Sequence, residues 1–188
     1  MIVFWGFVLG LPLLAFGGVL AFWPAKARSF TEWFRDSKAC AVALSAVAWL
    51  WTAYECDTIG IDVFDMLLMK EKTSGILVWV LAVVLTYLVV IWMPKNLPVR
   101  ALSGVLMLIP AELFKTTRFY LPQSGFAAVQ LFVATAYVGA VVGMYGMFYP
   151  WRLEKGMELV LARSWASRAL GALLAADGVA LVAIGLAL

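Results

Sequence analysis

Glu112, Lys115 and Arg118 stand at three-residue intervals in the stretch LMLIPAELFKTTRFYLP, just after Pro110 and a long apolar run. An acid and a base one helical turn apart can pair with each other, and they can do proton chemistry on a third group. The proline removes one backbone donor and frees a carbonyl nearby, which broken helices in transporters use to make binding sites and which ordinary kinked helices also have. A second acid, Asp177, interrupts the apolar stretch ALGALLAADGVALVAIGLAL. Ionised groups inside apolar runs are rare and mark functional sites by default. Glu112, Asp177 and Lys115 are therefore candidate ion- or substrate-binding residues, joined by Gln130 on a polar edge that also holds Thr135, Tyr137 and Tyr145.

Other chemistries are pruned by what the chain lacks. There is no histidine, hence no imidazole-ligated haem, copper or zinc and no Ser-His or Cys-His nucleophile. Glycine-rich nucleotide loops and CxxC pairs are missing too, and no cofactor is expected. The segment ECDTIGIDVFD gathers carboxylates, of which Asp57, Asp62 and Asp65 are weak candidates for a calcium or magnesium ion, but the spacing fits no EF-hand and suits solvated loop charges equally well. The net charge of +3 is spread too thinly to form a nucleic-acid surface. Cys40 and Cys56 lie at opposite ends of one apolar segment, about 24 Å apart on a helix and out of disulfide reach.

With 65% apolar and 13% charged residues in a 188-residue chain, against about 25% charged in soluble domains, the bilayer is the solvent. The expected fold is an all-α polytopic membrane bundle in a single domain, with six transmembrane helices over residues 2–23, 39–54, 75–93, 101–120, 126–149 and 169–188. Five helices plus a re-entrant segment at 101–120 is the alternative. Residues 2–23 lack a basic leader and a small-residue cleavage site and read as a retained span. With six spans, ten of the fourteen basic residues fall in loops 24–38, 94–100 and 150–168 on one side. The positive-inside rule then places both termini on the non-cytoplasmic side.

Three spans end alike, in FWPAK, WMPKN and FYPWR: a bulky interfacial pair, a helix-stopping proline and a nearby cation. Their unequal spacing argues against a regular repeat, and convergent exit signals at one interface are the simpler reading. The connections ARSFTEWFRDSKA and RLEKGMELVLARSWASR carry apolar residues at helical spacing and read as helices lying on the membrane surface. Gly139 and Gly143, with GxxxG spacing, and Gly17 and Gly18 read as places of close helix packing.

Measured from residue 101, Glu112 lies about 16 Å into its helix, near the midplane, and Asp177 lies about 12 Å into the last one. The face of the last helix centred on Asp177 holds Leu170, Leu173, Leu174, Leu181 and Ile184, and the opposite face is small. Small faces usually pack and leucine faces usually meet lipid, yet a carboxylate in lipid costs at least about 2.5 kcal/mol. So either the leucine face turns inward, toward Lys115 or the polar edge of the fifth span, or another subunit covers it. Three functions remain: a small transporter or channel-like protein with a buried carboxylate site; a non-catalytic subunit or scaffold that forms a homo-oligomer or joins a membrane-protein partner; and, third, a lipid-modifying enzyme using Glu112 and Lys115.

Overall fold

The structure, a computed structural model, describes residues 2–59, 74–92, 96–117 and 126–187. Among the described residues there are eight helices and no strand: α1 (Ile2–Phe22), α2 (Pro24–Asp36), α3 (Lys38–Ile59), α4 (Ser74–Trp92), α5 (Leu97–Thr117), α6 (Phe126–Phe148), α7 (Pro150–Ala162) and α8 (Ser164–Ala187). Five of them, α1, α3, α5, α6 and α8, are long and apolar enough to cross a membrane, which fits an integral, multi-pass membrane protein. The apolar part of α4, Ile76–Trp92, is shorter. Its exposed residues Ile76, Val80, Val83, Tyr87 and Ile91 follow helical spacing, the stripe expected of a helix that turns one side to lipid.

Three helices differ in extent from the sequence expectation. α3 runs on to Ile59, five residues past its expected end at residue 54, and α5 begins at Leu97 and α8 at Ser164. Asn96, at φ 58°, turns the chain, and its carbonyl accepts the N–H of Arg100 at 3.1 Å. Pro98 then sits in the first helical turn, where a missing N–H leaves nothing unsatisfied.

The most extensive interface joins the first and last helices, which run antiparallel. Gly171, Gly178 and Gly185 recur every seventh residue, two turns of helix, and make one stripe on α8. Gly17, Gly10 and Gly6 of α1 face them in that order. A Cβ built on Gly178 would stand 2.6 Å from the Gly10 carbonyl oxygen, and one on Gly171 would stand 2.5 Å from the Ala21 nitrogen, so the backbones touch directly. Ser167, fully buried, adds a hydrogen bond from its hydroxyl to the Leu20 carbonyl at 3.0 Å.

The other four long helices form a row, α4 on α3, α3 on α5 and α5 on α6. Trp5 (α1), Ile109 and Leu113 (α5), Phe132 and Ala136 (α6) and Leu181 (α8) form one buried apolar cluster that unites this row with the α1–α8 pair. Two local structures are repeated at an offset of 126 residues. Trp23 (φ −134°, ψ 65°) and Tyr149 (φ −129°, ψ 57°) each break the chain before a proline that opens a 13-residue helix, α2 or α7. Each helix ends at an extended residue, Ser37 or Arg163, whose N–H bonds back three residues. The first and third proline exits thus build one substructure twice, while the second, at residues 92–96, lies partly outside the described residues.

Candidate functional site

Glu55 closes a charged cluster with Glu112 and Lys115 of α5. Lys115 Nζ donates to Glu55 Oε2 and, at 3.1 Å, to Glu112 Oε1. Trp51, one turn earlier on α3, donates its indole N–H to Glu55 Oε1 at 3.3 Å. The Glu55 side chain is 7% exposed, that of Glu112 23% and that of Lys115 42%. Both acids are thus sheltered, and the lysine side chain is the more open of the three. α3 and α5 run parallel here, because Ala48 also meets Gly104, and similar lengths of the two helices from that contact bring Glu55 level with Glu112, with Lys115 one turn further on reaching back to both.

Sequence reasoning placed Glu55 among the loop charges. ECDT reads as polar punctuation after an aromatic belt, and the lysine that accounts for the acid is 60 positions away. The local pairing of Lys115 with Glu112 was legible from their spacing. Because α5 begins at Leu97, Glu112 lies about 9 Å past the middle of the 97–115 span, toward the Glu55 end. Asp177 sits near the middle of α8.

Asp177 accepts both its hydrogen bonds from one hydroxyl, Thr135 Oγ1 of α6, at 3.2 and 3.0 Å. The leucine side of α8 turns inward at Leu181, which is fully buried, with Ile184 packed alongside, while Leu173 on its margin is exposed. The glycine stripe lies about 100° round the helix from Asp177, so docking on α1 swings the acid toward α6. Exchange of Thr135 for valine removes the donor at constant shape and is expected to lower stability by about 1–3 kcal/mol; Asp177→Asn should be milder. Chemical unfolding in detergent measures both, and an unchanged midpoint for Thr135→Val would show that the bond contributes nothing.

The other candidates are dispersed. Gln130 is exposed on α6 and is not part of the Glu55–Glu112–Lys115 cluster. A Cβ on Gly17 would stand 2.5 Å from the Ala175 nitrogen, and one on Gly143 would stand 2.7 Å from the Ser103 carbonyl oxygen. Gly139 has only an ordinary neighbour, Leu106 Cδ2 at 3.9 Å, and Gly18 opens onto space. Asp57 is exposed, Asp62 and Asp65 lie outside the described residues, and no cluster of three metal-ligating residues occurs among those described. Compared with family models, curated proteins and solved structures, the chain matches none.

Proposed function

We propose that this chain is a six-crossing membrane protein of transporter or channel type, with a site for one small cation or proton at Glu55, Glu112 and Lys115. The observation that carries the reading is the inventory of the cluster: two carboxyls sheltered from solvent share one ammonium. One further positive charge balances them, and sheltered carboxylates favour balance because an uncompensated charge away from water is unfavourable. α3 and α5 are parallel neighbours, so the chain must return between them. α4, at 19 residues or about 28 Å, is long enough to do so, which supports the sixth crossing. The termini share one end of the bundle, since Gly6 meets Gly185, and the cation excess at the other end supports a non-cytoplasmic placement for both.

Flux in proteoliposomes tests the proposal, with a pH-sensitive dye reporting protons and sodium and potassium gradients supplied in turn. The Glu55→Gln/Glu112→Gln double variant is expected to lose most of the flux, because it removes both carboxylates that would hold the ion. Wild-type protein that passes none of the three ions removes the reading.

The non-catalytic subunit reading has its own support, because large side chains fill the meeting point of α1, α5, α6 and α8. That reading expects a stoichiometric partner or a homo-oligomer on purification in mild detergent, and a monodisperse single chain counts against it.

A further inference from the structure

α2 and α7 touch each other at one end of the bundle, where α1 and α6 stop and α3 and α8 begin. Each continues the outer surface of the helix before it through a chain of aromatic rings. Phe16 of α1 meets Phe30 of α2 at 6.5 Å between ring centres, and Phe30 meets Trp33 at 5.8 Å. Tyr145 of α6 meets Tyr149 at 5.7 Å, and Tyr149 meets Trp151 of α7 at 5.7 Å. Phe30, Trp33, Tyr149 and Trp151 are exposed. Amphipathic rings at the end of a membrane helix belong at headgroup depth.

The charges of this end have one dominant sign. Residues 23–38, 96–100 and 149–168 carry nine cations and four acids. Two of the acids are engaged locally, Glu32 by Arg28 at 3.2 Å and Asp36 by Arg35 at 3.1 Å. Burial pushes the Glu154 carboxyl up from its ordinary range, Arg35 pulls it back down, and Glu158 and Asp36 raise it. The repeated exits place a cation over each aromatic hinge: Lys26 Nζ is 5.4 Å from the Trp23 ring centre, and the Arg152 guanidinium is 5.2 Å from that of Tyr149.

We propose that the α2–α7 platform binds the headgroups of anionic phospholipids in the leaflet where it lies. The aromatic rows place apolar surface among the upper acyl chains, and the cations are left at the level of the phosphates, the two-part arrangement by which amphipathic helices hold charged membranes. Zwitterionic headgroups have no net charge to answer the excess. Inorganic phosphate has no acyl chain to answer the rings. This inference does not rest on the cation site, and either can fail without the other.

Equilibration of the purified chain with detergent micelles holding equal amounts of phosphatidylglycerol and phosphatidylcholine tests it, with native mass spectrometry reading which lipid stays bound. Wild type is expected to retain phosphatidylglycerol with at least about tenfold preference, an effect that two surface cations suffice to supply. The preference should shrink in high salt, as screening shortens the reach of exposed charges, and should survive excess inorganic phosphate. The Lys26→Gln/Arg152→Gln/Lys155→Gln variant, checked for unchanged helix content by circular dichroism, is expected to lower the preference at least about tenfold below that of the wild type. Equal retention by the wild type, a preference indifferent to salt, or a protein partner occupying the platform in place of lipid overturns the proposal.

Discussion

Replacement of Gly17 by valine is expected to force α1 away from α8 and to destabilise the protein by about 3 kcal/mol, the upper end of overpacking effects. The magnitude follows from what lies in the way. A Cβ at this position would meet the Ala175 nitrogen at 2.5 Å and the Gly171 carbonyl oxygen at 2.7 Å, and both are backbone atoms of a helix that cannot yield as a side-chain tip can. Relief requires translation of one whole helix, which would also part Gly10 from Gly178 and weaken the hydrogen bond from Ser167 to Leu20. The adjacent residue is the control. Gly18 opens onto space, so Gly18→Ala should raise stability by about 0.5–1 kcal/mol, through the chain entropy that glycine loses in a helix. Unfolding of both variants in a mixed-micelle titration separates the two effects. Equal midpoints would show that the α1–α8 contact is not made through its glycines.

The second large effect is expected at Lys115→Met, which leaves Glu55 and Glu112 facing each other without their shared cation. Loss of one partner from a fully buried pair costs about 3–5 kcal/mol, because the remaining charge is uncompensated. Lys115 is 42% exposed while Glu55 is only 7% exposed, so solvent at the open side screens part of the loss and about 2 kcal/mol is expected. The compensating variant decides the cause. Glu55→Gln added to Lys115→Met removes the stranded carboxylate, and most of the stability should return, whereas loss of mere packing by the lysine stem would leave the double variant as weak as the single one. Detergent unfolding of the single and double variants makes the comparison.

Much of this architecture follows from patterns that lie within one element. The apolar run of α1, the proline exits after Trp23 and Tyr149 and the amphipathic spacing in α2 and α7 are periodic or local, and helix formation in an apolar solvent leaves the backbone little choice, since each N–H and C=O must bond within its own segment. The boundary of α3 was harder. Glu55, Cys56 and Asp57 read as the polar residues of a loop, and the approach of α5, with Lys115 in reach of Glu55, makes helical continuation favourable for an acid there. On α8 the two sides conflicted, leucine against small residues, and the conflict was settled by the six-glycine contact with α1, which no single helix discloses.

Glu112 and Asp177 show where the division lies. Their types and apolar surroundings alone determined that each needs a protein partner, because hydrocarbon cannot solvate a carboxylate. Lys115 as the partner of Glu112 is written in their spacing, but that Glu55 shares this lysine, and that Asp177 takes Thr135, was decided by tertiary structure. Solvation and helical periodicity act over one turn and are written in the neighbouring residues, whereas the pairing of helices depends on how surfaces distant in the chain fit. The glycine seam between α1 and α8 sets the rotation of the last helix, and with it the direction in which Asp177 points.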